Sequence, residues 1–226
     1  MKKRVGLILV LLLCLLSVSA FADGKLKATE KNLIIYDGKD SGYFYAKVEN
    51  VGDAPIGTDS GDLVAFSEDD EIIFTKSYVT TVPSYVVLEP GDYLFAKEFI
   101  WESALKESGV ADYKFSISGE KRTKKVIKLP CEAEFELGEP DKFKSFISIT
   151  LKAPDDKQLE DFYTVAALYD AEGTLIYVDT YTTSSIIVHP GSIITVKISI
   201  DNDMVKYYKA HGIVPTSVDA YVCYTE

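Results

Sequence analysis

The hydrophobic pattern of this chain alternates with period two over most of its length, which is typical of half-buried β-strands. The segment 193–200 (IITVKISI) is the clearest case, because Ile194, Val196, Ile198 and Ile200 share one face while polar residues mostly occupy the other. Several short segments of this kind are separated by clusters of Gly, Pro, Asn and Asp. The pattern therefore predicts an all-β protein.

The pattern also repeats along the chain. The turn Pro90-Gly91 recurs as Pro190-Gly191, at an offset of 100 residues. Upstream, the alternating segment 43–49 (YFYAKVE) matches 146–152 (FISITLK). Each copy has the length and the number of short strands expected of an immunoglobulin-like sandwich. We expect two tandem immunoglobulin-like β-sandwiches.

A short helix is predicted before the last strand of each sandwich. In the second copy, Asp201 to Asp203 supply N-terminal caps, residues 204–211 follow, and Gly212 ends the helix. In the first copy, residues 102–108 occupy the same place and are followed by Gly109.

The first 22 residues predict a secretory signal peptide. A basic start is followed by an apolar stretch and by Ala20-Phe21-Ala22, a small-residue cleavage pattern. We expect cleavage after Ala22 and a secreted or extracellular protein, with association at the cell surface as one form of this location. No later segment is long and apolar enough to cross a bilayer, so no membrane insertion is expected after cleavage.

The predicted domains are a signal peptide (1–22), a first β-sandwich (23–118), a basic linker (119–130) and a second β-sandwich (131–226). The linker is the one basic segment of an acidic chain, which has 24 Lys and Arg against 35 Asp and Glu. This charge balance opposes nucleic acid as a partner.

Residues with catalytic or metal-binding chemistry are sparse. Two histidines and three cysteines are widely scattered, which does not fit a zinc site. The acidic runs 68–71 and 201–203 lack the spaced ligands and the glycine of a calcium loop, and they are interpreted as a turn and a helix cap. No nucleophile motif frames either histidine. The sequence predicts no catalytic residue, no metal site and no cofactor.

Two cysteines, Cys131 and Cys223, lie in the second copy. An even pair in an oxidising compartment suggests a disulfide. Strand alternation argues against it, because Cys131 shares a face with Ala133 whereas Cys223 falls between the inward residues Val222 and Tyr224. The sequence leaves both alternatives open.

Fifteen tyrosines are the most abundant aromatic residues. Tyr43 and Tyr45, together with Tyr207 and Tyr208, are predicted to form an exposed platform for sugars or peptides. The alternative is that these tyrosines are ordinary strand residues that pack at a domain interface.

The second copy resembles the bacterial FxLYD-type extracellular domain, an immunoglobulin-like sandwich. The matching residues are Leu168-Tyr169-Asp170, Glu172-Gly173 and His189-Pro190-Gly191, while Ala166 stands where the family usually has Phe. The first copy matches less well, with Ser67-Glu68 in place of Tyr-Asp. The resemblance implies an accessory or interaction role at the cell envelope, and it carries no catalytic residues.

These observations predict a secreted, non-enzymatic binding or adhesion protein of the bacterial cell envelope that contacts a protein or a glycan. A structural accessory subunit of a surface assembly is the alternative. A hydrolase with an unrecognised site is a third hypothesis.

Overall fold

Fifteen β-strands, one α-helix and one 3-10 turn make up the part of the chain described by the computed structural model, namely residues 23–106, 109–183 and 186–226. The prediction of an all-β protein is confirmed. The predicted signal peptide, residues 1–22, lies outside the described residues.

The N-terminal half, residues 23–120, contains two sheets. Its elements are β1 (Leu26–Ile35), β2 (Ser41–Asn50), β3 (Ile56–Phe66), β4 (Ile72–Val79), β5 (Thr81–Val82), β6 (Val87–Leu88), β7 (Tyr93–Trp101), the 3-10 turn (Ser103–Lys106) and β8 (Asp112–Glu120). One sheet has the order β1-β2-β7-β5. In the other sheet, β3 pairs with β4, β6 and β8.

The C-terminal half, residues 126–226, also contains two sheets. Its elements are β9 (Val126–Leu129), β10 (Cys131–Glu136), β11 (Ser145–Lys152), β12 (Phe162–Tyr169), β13 (Leu175–Thr183), β14 (Ile193–Ile200), α1 (Asn202–His211) and β15 (Ser217–Thr225). The sheet orders are β10-β11-β14 and β13-β12-β15-β9.

The core of the N-terminal half lies between its two sheets. The alternation of β2 places Phe44, Ala46 and Val48 in this core, where they are fully buried together with Leu63 and Ala65 of β3. These three residues of the alternating segment 43–49 share one face of β2. Burial of such apolar surface is the main force that holds the two sheets together.

The helix predicted at 204–211 is present as α1. The Asp201 carboxylate accepts a hydrogen bond from the Asp203 N–H (3.0 Å), and Gly212 ends the helix in the left-handed conformation (φ 68°). On the inner side of the helix, Met204, Val205 and Tyr208 are buried.

The first copy has only the 3-10 turn where a helix over 102–108 is predicted, and residues 107–108 lie outside the described residues. The described turn buries a single apolar side chain, that of Leu105. One anchoring residue gives much less packing energy than the three of α1, and most helical stability in proteins comes from such packing.

Half of the predicted basic linker, 119–130, is built into the sheets. Its first two residues end β8, and residues 126–129 form β9, which pairs antiparallel with Val222–Thr225 of β15. Its charges are also engaged: Arg122 pairs with Asp59 (3.2 Å), and the Lys128 ammonium donates to the Tyr93 carbonyl (2.7 Å). Only residues 121–125 lie between these two strands. The segment VIKL has three apolar residues, two of them β-branched, and such residues favour a strand.

A second apolar core is shared by the two halves and is distinct from the core between the N-terminal sheets. The outer face of the sheet β1-β2-β7-β5 packs against the sheet β13-β12-β15-β9, and the buried residues at this junction include Tyr45 and Phe95 from the first half and Tyr177 and Tyr221 from the second. The Phe95 and Tyr221 rings are stacked at 6.0 Å. Strand β2 is consequently buried on both faces.

Polar contacts cross the same junction. The Tyr93 hydroxyl donates to Asp219 (2.8 Å), and the Lys97 ammonium lies 2.7 Å from the Asp179 carboxylate. The Asn32 side-chain amide donates to the Leu175 carbonyl (2.9 Å). These contacts satisfy polar groups that would otherwise be costly to bury, and they fix the orientation in which the halves meet.

Replacement of Tyr221 by Phe tests the junction. The Tyr221 hydroxyl accepts from the Phe95 N–H (3.1 Å) and donates to the Val82 carbonyl. Its loss leaves a buried N–H without a partner, so Tyr221→Phe should lower the free energy of unfolding by about 1–3 kcal/mol.

Guanidinium denaturation followed by fluorescence measures this change. Tyr181→Phe is the matched control, because Tyr181 is 45% exposed. The control should change the free energy of unfolding by less than about 0.5 kcal/mol. Equal midpoints for the two variants would contradict the account of the junction.

Candidate binding groove

A row of aromatic rings lies along the junction between the halves. From α1 to β7 it runs His211, Tyr207, Tyr36, Tyr43 and Phe99, with successive ring centroids 4.2, 6.0, 6.3 and 5.2 Å apart. We call these five residues the junction row. Because it joins side chains from both halves, it exists only while the halves are packed together.

Local backbone structure positions the junction row. Tyr36 begins the tight turn between β1 and β2, where Gly38 takes a positive φ of 64°. Tyr207 and His211 are four residues apart on α1 and therefore lie on one face of the helix. The buried Tyr208 hydroxyl donates to the Ile176 carbonyl (3.0 Å), which holds the helix against its own half.

Two cavities flank the contact between Tyr36 and Tyr207. The smaller, of about 190 Å³, is lined by the charged residues Asp37, Lys39, Asp203 and Lys206. The larger, of about 400 Å³, is lined by residues that include Leu33, Ile35, Leu105 and Tyr113. We call the two cavities together the junction groove. Concave sites with an apolar floor and a few polar groups are typical of ligand binding.

Charges of both signs border the groove. The Lys39 ammonium lies 2.6 Å from Asp203 at the start of α1 and 5.2 Å from the centre of the Tyr36 ring. The His211 Nε2 atom lies 2.8 Å from the Asp37 carboxylate. Each of these two pairs links the β1–β2 turn to α1.

The phenols of the groove remain protonated at neutral pH. Burial raises the pKa of Tyr36, and the Asp201 carboxylate raises it further. Burial also raises the pKa of Tyr207, with a smaller contribution from Asp37. Neutral hydroxyls and aromatic faces of this kind hydrogen-bond and stack on uncharged polar ligands such as peptides and sugars.

The structure corrects the predicted tyrosine platform. It brings Tyr43 and Tyr207 into the junction row, where both are half-buried, but Tyr45 is 0% exposed and Tyr208 is 2% exposed. The alternation of β2 correctly places Tyr43 and Tyr45 on the face opposite Phe44. The C-terminal half covers this face and buries Tyr45. The other three members of the junction row are not predicted from the sequence, because only the packing of the halves brings a turn, a strand and a helix together.

The two remaining candidate site residues, Cys131 and Cys223, are free thiols, so the disulfide that the sequence leaves open is not formed. Cys131 lies in β10 opposite Leu151, whereas Cys223 lies in β15 opposite Tyr163. The Cys131 thiol instead contacts the Ala220 carbonyl at 3.6 Å. The two thiols belong to different sheets, in agreement with the alternation argument against the bond.

Within residues 23–106, 109–183 and 186–226, no group of three or more His, Cys, Asp or Glu side chains is arranged to hold a metal ion. The same residues contain no helix that is long and apolar enough to cross a membrane.

Comparison with known proteins gives only distant likenesses. No family model matches the chain, and neither does any curated protein. Among solved structures, it is similar to red sea bream transglutaminase (9% identity, TM-score 0.24, covering 88% of this chain and 28% of that one). It is also similar to the C-terminal globular domain of an oligosaccharyltransferase from Pyrococcus abyssi (10% identity, TM-score 0.25, covering 89% and 47%). The chain spans less than half the length of either structure, and neither likeness bears on its activity.

The free thiols give a direct test. Burial raises the pKa of the Cys223 thiol to about 12 and also raises the pKa of Cys131. Because only the thiolate is nucleophilic, Cys223 should not react with a thiol reagent in the folded protein at about pH 8.

After unfolding, both cysteines of residues 23–226 should react, giving two thiols per chain in a titration with a chromogenic disulfide reagent. Cys223→Ser should reduce that number to one. A count of zero thiols in unfolded, unreduced wild-type protein would contradict the structure.

Proposed function

We propose that this protein is a secreted, non-enzymatic binding protein of the bacterial cell envelope, which contacts a protein or a glycan through the junction groove. In this proposal residues 1–22 are the signal peptide, and the mature chain consists of two tandem immunoglobulin-like sandwiches of the FxLYD type. The observation that carries the proposal is the junction row, a set of aromatic side chains from both halves beside two cavities.

The order of the strands supports two related sandwiches. In each half an edge strand pairs with a second strand, β1 with β2 and β10 with β11. The second strand of each pair also pairs with the strand that follows a Pro-Gly turn, β7 or β14. A helical turn then leads to the last strand, β8 or β15. Two copies of one arrangement agree with the internal sequence repeat.

The exposed end of the junction row supports binding over a purely structural role. Phe99 is 44% exposed, and Trp101, two residues further along β7, is 71% exposed. Clusters of large apolar side chains that remain exposed are enriched at interaction sites. A structural accessory subunit would not need an aromatic groove that is open to solvent.

The groove also favours binding over catalysis. Its titratable groups are phenols held in the neutral form and carboxylates next to Lys39 or His211. A catalytic base would need a nucleophile or a substrate atom oriented beside it, and the groove is instead bordered by contacts that join the two halves.

Tyr207→Ala should weaken ligand binding by at least about tenfold, because the loss of a central aromatic contact in an interface typically costs this much or more. Glycan and peptide arrays with the mature wild-type protein identify the ligand class, and calorimetric titration of the best binder measures the change. Tyr181→Ala, which removes a tyrosine outside the junction row, is the control and should bind as the wild type does.

Unchanged melting temperatures of both variants would show that the effect is local. Equal affinities for Tyr207→Ala and Tyr181→Ala would exclude the junction groove as the binding site. The absence of binding to any glycan or peptide would contradict the proposed function itself.

A further inference from the structure

The last strands of the two halves, β8 and β15, differ in the number of strands with which they pair side by side. In the C-terminal half, β15 lies between β12 and β9 and is paired on both sides. In the N-terminal half, β8 pairs on one side with β3, and within the described parts of the chain it has no strand paired on its other side. The edge of β8 therefore presents the kind of backbone N–H and C=O groups that β15 uses to bind β9.

The unpaired segment of β8 can be defined by comparison. The inward residues Tyr113, Phe115 and Ile117 of β8 match Ala220, Val222 and Tyr224 of β15 in order and alternation. Since β9 pairs with Val222–Thr225, the matching segment of β8 is 115–118. We call residues 115–118 the open edge.

Both last strands are flanked by the first long strand of their half. In the first half the Tyr113 hydroxyl donates to the Lys31 carbonyl of β1 (3.0 Å), and in the second the Cys131 thiol of β10 contacts the Ala220 carbonyl (3.6 Å). Tyr113 and Ala220 occupy matching positions. The two last strands are therefore flanked alike at Tyr113 and Ala220. They differ in the residues that follow, where only β15 is paired with a further strand, β9.

The difference arises from the chain that precedes each flanking strand. Before β10 the chain passes through Pro130, and β9 runs along β15. Before β1 the chain instead pairs with the residues that follow β2, because the Lys25 carbonyl accepts from the Val51 N–H (2.8 Å) and the Asp23 carbonyl accepts from the Asp53 N–H (3.1 Å). The segment that would match β9 is therefore committed elsewhere, and the open edge receives no strand from it.

The side chains of the open edge are compatible with the addition of a further strand. Phe115 and Ile117 are half-buried and pack against the same core as Leu26 and Ala28 of β1, whereas the two serines between and after them are exposed. The four residues include no charged side chain and no proline, which are common protections of an unpaired edge. A cavity of about 410 Å³ lies beyond its end and is lined in part by residues 119–122.

We propose that the open edge binds an extended segment of a partner protein, which adds a strand antiparallel to β8 as β9 does to β15. The chain itself indicates the chemistry that fits: β9 is VIKL within a basic segment, with apolar residues and lysine along one strand. The partner segment should likewise combine apolar residues with Lys or Arg, because the protein is acidic overall and attracts basic chains. This inference rests on the proposed function that the protein acts by binding, and it adds to the junction groove a second surface whose partner is a polypeptide.

The probe is a synthetic peptide with the sequence of residues 124–129, KKVIKL, and the protein is the mature chain, residues 23–226. Hydrogen exchange of the backbone amides, measured with saturating peptide, should be slowed in the open edge. Exchange at Val222–Thr225 should not change, because β9 already pairs there.

Two N-methylated forms of the peptide provide matched controls without any change in the protein. A strand directs alternate N–H groups to one neighbour, so methylation of one alternate set should weaken binding by about tenfold or more, and methylation of the other set should have little effect. This pattern distinguishes backbone pairing from simple attraction between a basic peptide and an acidic protein.

Equal binding of the two methylated peptides, or an absence of protection in the open edge at millimolar peptide, would overturn the inference. If the peptide does not bind but a glycan does, and Tyr207→Ala abolishes the binding of the glycan, the proposed function stands while the strand-addition inference fails. If neither peptide nor glycan binds, both fail.

Discussion

The packing of one sheet of each half against the other is the interaction on which the rest of the structure depends. It buries the outer face of β2, places the hydroxyl of Tyr221 within hydrogen-bonding distance of the backbone of β5 and β7, and aligns α1 with the β1–β2 turn. The aromatic surface buried there supplies the favourable energy, and the hydrogen bonds and ion pairs fix the geometry. Without this packing, Tyr36 and Tyr207 would belong to separate surfaces.

The basic segment between the halves contributes to the same arrangement. As β9 it completes a sheet of the C-terminal half, and the Lys128 ammonium lies 4.0 Å from the centre of the Tyr93 ring of the N-terminal half. One connection therefore acts as a strand and as a junction contact. Its use in the second half also accounts for the unequal edges: a single extra strand is available to two similar halves, and it pairs with β15.

Much of the fold can be predicted from the sequence because its signals are local. Period-two alternation predicts β2, β11 and β14, and caps with a terminal glycine predict α1. The burial of Tyr45 and the joining of Tyr36 to Tyr207 cannot be predicted in this way, because they result from contacts between residues far apart in the chain. Strand β9 is missed for a related reason: the charges around it indicate an exposed linker, and its partner strand β15 lies at the other end of the C-terminal half.

Because they are packed together at their junction, the two halves should unfold as one cooperative unit. Differential scanning calorimetry of the mature wild-type protein tests it most directly, because the ratio of calorimetric to van't Hoff enthalpy counts the units that unfold together. A single transition with a ratio of about 1 is expected. Two resolved transitions, or a ratio of about 2, would mean that the halves unfold independently and would contradict it.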